Sequence, residues 1–228
     1  MPTPTPPLVI GHRGASGHAL ENTLSAFRLC VDNPATRCDG VELDIHTTAD
    51  GEIVVHHDPV LKDGRAIAEL SWADLQPVRL SNGEPIPTLA QALEVLAPIE
   101  VFIEAKALPA QHDGRLLAMM RCHPHPDRLH VHAFDHRIIR RLSATAPEFG
   151  YGVLSGSHLV DNVQPARNAG ARTLWQHWEQ IDQALVEECT AAGVRIIAWT
   201  VNSAETARQL AGWGVAGLCG NWPERLKA

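Results

Sequence analysis

Four short segments hold the residue types that proton transfer and cation binding require: Gly11-His12-Arg13-Gly14, Glu42-Leu43-Asp44, His56-His57-Asp58 and Glu104-Ala105-Lys106. Glu42 and Asp44 are two residues apart, so on a strand they face the same way. Two carboxylates aimed into an apolar interior repel one another and lose hydration. A cation relieves both penalties. Glu104 is placed to complete an oxygen-rich set, which suits Mg²⁺ or Ca²⁺, with Mn²⁺ also compatible. The competing arrangement leaves Glu42 and Asp44 facing solvent or paired with Arg13 and Lys106. The company of Glu104 and two histidines favours the metal.

His12 and His57 are the candidate proton carriers. Imidazole titrates near neutral pH, so two of them on opposite sides of a phosphate can divide the roles of acid and base that cleaving a phosphodiester requires. Arg13 and Lys106 would offer fixed positive charge to phosphate oxygens, and the glycine on either side of the His12-Arg13 pair lets backbone approach a ligand closely. Glu21-Asn22-Thr23 opens a helix. Asn22 or Thr23 would cap it, and Glu21 is free to touch substrate or a metal-associated water. His46 shares a strand face with Asp44. His130, His132, His136, His158 and His177 have no supporting context, and His123 and His125 sit between prolines in a loop.

Something must bring these distant segments together. Apolar and β-branched runs predict strands at 8–11, 39–45, 100–104, 129–133, 150–154, 172–175, 194–200 and 215–219. Helical spacing recurs between them: after Glu21, around Leu89, Leu93 and Leu96, around Leu116, Leu117 and Met120, and over 135–145, 158–168, 181–192 and 204–211. Gly170 and Gly193 fall where left-handed helix ends are expected. Eight strands alternating with helices predict an α/β fold, a (β/α)8 TIM barrel with a short insertion after the second strand; an open doubly wound sheet is the alternative. Ala49-Asp50-Gly51 signals a hairpin, and 58–87 reads as an irregular, cap-like excursion. The expected organisation is a proline-rich disordered lead at 1–7 and one barrel domain at 8–228.

Composition bounds the function. A formal charge of −7 over 228 residues argues against a general nucleic-acid binder. No apolar run is long enough to insert stably in a bilayer. The start, MPTPTPPL, lacks the cationic and apolar regions of a signal peptide, and five scattered cysteines without a Cys-x-x-Cys pair suit reduced thiols. A cytoplasmic enzyme acting on a small molecule is the expectation; oligomeric state is open.

The ordered set His12-Arg13-Gly14, Glu21-Asn22-Thr23, Glu42-Leu43-Asp44, Asp50-Gly51 and His57-Asp58-Pro59 resembles the bacterial glycerophosphodiester phosphodiesterase family. Pro87-Thr88-Leu89, Glu104-Ala105-Lys106, Phe134-Asp135 and Trp199-Thr200-Val201-Asn202 extend the resemblance over almost the whole chain. It implies a TIM barrel, a divalent metal on Glu42, Asp44 and Glu104, an acid/base pair in His12 and His57, phosphate contacts from Arg13 and Lys106, and a glycerol pocket at Trp199. By itself Trp199 reads more simply as a barrel-core aromatic. Three places depart from the family pattern: the insertion is short, Ala133 replaces a serine, and Gly220-Asn221 stands where Thr-Asp is usual. A short cap should leave the pocket open to larger leaving groups.

The implied reaction is hydrolysis of a glycerophosphodiester to sn-glycerol 3-phosphate and an alcohol, by water or through a cyclic phosphate. A cyclising lyase or lysophospholipase D would use the same residues. A barrel amidohydrolase would want His-x-His near the first strand, and His123-Pro124-His125 and His130-Val131-His132 fall elsewhere. An inactive binding barrel would show gaps in the constellation, and there are none.

Overall fold

In the computed structural model, residues 6–227 are described; residues 1–5 of the expected proline-rich lead lie outside them. Among the described residues nine strands form one sheet: β1 (Leu8–His12), β2 (Gly40–Thr47), β3 (Ile53–Val55), β4 (Glu100–Ala105), β5 (Leu129–Ala133), β6 (Gly150–Ser155), β7 (Thr173–His177), β8 (Arg195–Trp199) and β9 (Gly217–Gly220). Eight run parallel in the order β1-β9-β8-β7-β6-β5-β4-β2, and the β1–β2 pairing closes the ring. This is the (β/α)8 barrel expected, and closure excludes the open sheet. The extra strand, β3, pairs antiparallel with β2 across the Asp50-Gly51 turn, where Gly51 takes a φ of 82°.

Helices α1 (Leu24–Asp32), α2 (Trp72–Leu75), α3 (Leu89–Leu96), α4 (Asp113–Arg121), α5 (His136–Thr145), α6 (Gln164–Asn168), α7 (Gln183–Ala191), α8 (Ala204–Trp213) and α9 (Pro223–Leu226) fill the connections. Their apolar faces meet the outward residues of the strands in one continuous core that includes Phe27, Val41, Leu43, Leu93, Ile103, Leu117, Val131, Ile139 and Leu210. A smaller cluster of Ile10, Phe102, Leu154, Trp175, Ile197 and Cys219 plugs the barrel interior. Inward and outward residues alternate along each strand, and this alternation aims the polar residues of β1, β2, β4 and β5.

The helix expected over 158–168 is the clearest difference. It starts only at Gln164, because Pro165 belongs in a first turn and cannot sit mid-helix, and because Asp161 Oδ1 caps the N–H groups of Val163 and Gln164. The excursion at 58–87 has its own small core: Leu61, Ile67, Leu75 and Ile86 bury against Val54 of the hairpin. Hydrogen bonds tether it to the barrel, among them the Ala49 N–H to the Leu70 carbonyl at 2.8 Å. Asp50 accepts from the Trp72 N–H at 3.0 Å, and Ser25 Oγ at the start of α1 donates to Glu84 Oε1 at 2.6 Å.

Candidate active site

At the C-terminal end of the strands a cavity of ≈110 Å³ is lined by His12, Arg13, Glu42, His57, Glu104, Lys106, His132, Phe134, Leu154, Trp175, Trp199 and Cys219. Strand register explains the gathering. His12 is level with Glu42 across β1–β2, and Asp44, Glu104 and His132 are level across β2, β4 and β5. One more step along β4 brings in Lys106, whose N–H bonds to the Ile45 carbonyl.

Asp44 is the centre of the charge network. It is fully buried, with Lys106 Nζ 3.1 Å from Oδ1, and Arg13 Nε at 3.0 Å and Asn22 Nδ2 at 2.7 Å from Oδ2. Burial alone would raise its pKa, but Lys106, Arg13 and the Asn22 amide outweigh burial, and the net direction is down. The pairing with Arg13 and Lys106 that the sequence left open is therefore present for Asp44. Glu42 differs. Its Oε2 accepts the Arg13 N–H at 3.1 Å, while Oε1 is buried with no hydrogen-bond donor. Burial, then Asp44 and Glu104, push its pKa well up. Glu104 is raised to about 7 by burial and by Asp44, although Lys106 Nζ lies 2.7 Å from its Oε1.

Within this cluster four carboxyl groups, the part-exposed Glu21 and the buried Glu42, Asp44 and Glu104, face two fixed cations, Arg13 and Lys106. The undonated Glu42 oxygen and the raised carboxyls are features that a divalent cation would relieve, so the donors present fit one. Glu42, Glu104 and His132 each offer a ligand atom within 4.8 Å of the others.

The loop after β1 is held in a demanding shape. Arg13 and Asn22 both adopt left-handed backbone conformations, with φ of 58° and 56°. For residues other than glycine this costs about 1–3 kcal/mol and persists only when neighbours fix it. Here the Asn22 N–H donates to the Arg13 carbonyl at 3.0 Å and the Arg13 guanidinium forks onto Glu21 at 3.0 and 2.9 Å. Thr23, not Asn22, caps α1, accepting from the Ala26 N–H. Glu21 thus clamps Arg13.

The two histidines occupy different surroundings. His12 Nδ1 lies 2.7 Å from Asn221 Oδ1, so Nδ1 carries the proton and Nε2 presents a lone pair, 3.9 Å from Glu42 Oε2. Burial, then the Arg13 charge, bring its pKa down to about 4, which keeps it neutral. His57 is more open, and its Nδ1 pairs with Asp58 Oδ1 at 2.8 Å. His46 is buried, does not line this cavity, and bonds the His57 carbonyl at 3.0 Å, bracing that loop. His56 does not line it either and bonds the Asp58 carbonyl.

His57 also borders a second cavity of ≈290 Å³ between the Leu20–Asn22 turn and the excursion, walled by Val60, Leu61, Val78 and Leu80. Trp199 is partly buried against the barrel-interior cluster and also forms part of the wall of the first cavity, with Phe134 packed edge-on at 5.7 Å.

The sequence reading missed Asn221 and His132. Asn221 carried only a departure from a pattern. His132 carried a usable signal: His130, His132 and Phe134 alternate beside the strand that bears Glu104, the same two-residue spacing that flagged Glu42 and Asp44. Among the described residues all five cysteines are free thiols, as expected, and no helix is long and apolar enough to cross a membrane.

The sequence matches the Glycerophosphoryl diester phosphodiesterase family over residues 12–225. A glycerophosphodiester phosphodiesterase of Caldanaerobacter subterraneus subsp. tengcongensis is 29% identical over 235 residues, covering 96% of each chain. A phosphodiesterase of Oleispira antarctica, solved in complex with the product sn-glycerol-3-phosphate, superposes with a TM-score of 0.89 at 25% identity, over 97% of this chain and 96% of that one. The glycerophosphodiester phosphodiesterase of Thermotoga maritima gives 0.79 at 25% identity, over 95% and 96%.

Proposed function

The chain belongs to the glycerophosphoryl diester phosphodiesterase family, and from that membership and the cavity geometry we propose that it hydrolyses glycerophosphodiesters to sn-glycerol 3-phosphate and an alcohol. One observation carries the reading: three imidazoles, those of His12, His57 and His132, two fixed cations and buried acidic groups share one small cavity at the strand ends. Arg13 and Lys106 bind the non-bridging phosphate oxygens, and Asp44 between them holds both in position. His12 accepts the proton of the nucleophile at Nε2; the Asn221 contact fixes that tautomer and burial keeps the ring neutral. His57, on the open side of the cavity and tied to Asp58, gives a proton to the departing alkoxide. Trp199 and Phe134 wall the glycerol arm.

Glu42, Asp44 and Glu104 form the acidic wall for a divalent cation, Mg²⁺, Ca²⁺ or Mn²⁺, which when bound would polarise the phosphoryl group and acidify the attacking hydroxyl. Residues 58–87 serve as a short cap within the single barrel domain. The adjoining cavity of ≈290 Å³ supports bulky leaving alcohols. The test is incubation with glycerophosphocholine and a divalent metal, with and without EDTA, assaying glycerol 3-phosphate. Metal-dependent release supports the reading; no release with any divalent metal ends it.

A further inference from the structure

We propose that His132 is a metal ligand, adding one imidazole nitrogen to the acidic wall of Glu42, Asp44 and Glu104; the inference deepens the metal-dependent reading above and rests on it. Ligand atoms of Glu42, Glu104 and His132 all lie within 4.8 Å of one another, with Asp44 level with Glu104 on the neighbouring strand.

His132 is built to serve there. It is 1% exposed, yet Nδ1 has no hydrogen-bond partner, and the ring lines the same cavity as the two glutamates. A structural buried histidine normally satisfies its ring nitrogens with protein groups. The ring is also held rigidly: it stacks on Trp175 with centroids 4.0 Å apart and planes 5° from parallel. Gly152 makes that stack possible, since a Cβ there would meet Trp175 Cδ1 at 2.8 Å and His132 Cβ at 3.2 Å. Fixing the plane of an imidazole fixes the direction of its lone pair, and preorganised ligands bind metals more tightly.

The donor set carries a preference. Mg²⁺ and Ca²⁺ take oxygen ligands, whereas imidazole favours first-row transition metals. Mn²⁺ should therefore bind better than Ca²⁺ or Mg²⁺. The protein, stripped with EDTA and dialysed, is titrated with Mn²⁺ and Ca²⁺ by calorimetry, and pulsed EPR of the Mn²⁺ complex reads ¹⁴N coupling directly. The expected results are nitrogen modulation in the native protein and Mn²⁺ affinity at least about tenfold above Ca²⁺. In His132→Gln the modulation should vanish, with Mn²⁺ affinity lower by about tenfold or more and Ca²⁺ affinity little changed.

Bound Mn²⁺ without nitrogen coupling in the native protein overturns the inference and needs no variant to fold. Coupling that persists in folded His132→Gln or His132→Asn overturns it equally. Failure of the native protein to bind any divalent ion, or undiminished binding in Glu42→Gln, instead overturns the metal reading beneath it.

Discussion

His12 and His57 occupy one cavity in opposite states of confinement, and the roles proposed for them rest on that difference. Loss of the His57 proton should lower kcat by on the order of 10²–10⁴; His57→Ala with near-native kcat in a steady-state assay would remove it from the mechanism. Asn221→Leu deletes one hydrogen bond that holds the His12 tautomer. Since such a bond is worth about 1 kcal/mol, kcat should fall roughly tenfold while KM stays near its native value. A change confined to KM would make Asn221 a substrate contact instead.

The residue scale also shows the limit of spacing. Glu42 and Asp44 were found because two positions on one strand share a face, and Glu104 and Lys106 follow the same rule on the next. His132 obeys it as well, alternating with His130, but two imidazoles raise none of the carboxylate repulsion that made Glu42-Leu43-Asp44 conspicuous. Only the lateral register of β4 with β5 reveals that Glu104 and His132 are neighbours. Sequence periodicity fixes faces within a strand and carries no information about which strand lies beside it.

Among the elements, the excursion at 58–87 is the one whose stability is separable from the barrel. It buries few apolar side chains against Val54 and is tied down by Asp50 and Glu84. Ile67, fully buried in that cluster, should cost about 2–5 kcal/mol of local stability when cut to Ala. Amide exchange in 58–87 should then accelerate, the barrel strands should stay protected, and turnover of glycerophosphoinositol should suffer more than that of glycerophosphoethanolamine. Uniform deprotection of the barrel would show that the excursion is part of one cooperative unit. The strands and most helices were legible because each repeats its apolar residues at its own period. The lost half of the 158–168 helix was not, because Asp161 and Pro165 override an apolar spacing that taken alone suits a helix.

At the scale of the whole molecule, the barrel concentrates buried carboxyl groups at one mouth, and the proposed cation would compensate them. A carboxyl must be deprotonated to ligate a metal. In the metal-free protein Glu104 is held up at about 7, and burial with the neighbouring Asp44 and Glu104 raises Glu42 as well. Below about 7 protons therefore compete with the ion: the dissociation constant should rise as pH falls, and binding near neutrality should release protons. Calorimetry in buffers of differing ionisation enthalpy reads this; affinity independent of pH between 5.5 and 7.5 would contradict it.

The sequence by itself determined the alternation of strands and helices, the hairpin at Asp50-Gly51, and His12, Arg13, Glu42, Asp44, His57, Glu104 and Lys106 as the candidate set for chemistry. Those follow from local rules, namely the two-residue period of a strand, the turn preferences of glycine and the residue types that proton transfer requires. Tertiary structure alone decided that Asp44 is shared by Arg13 and Lys106, that Asn221 sits on His12, and that Trp175, over Gly152, aims His132 toward Glu104. These depend on closing the ring, which brings residue 221 beside residue 12 and sets the register between strands, and closure is a property of the whole chain that no local pattern encodes.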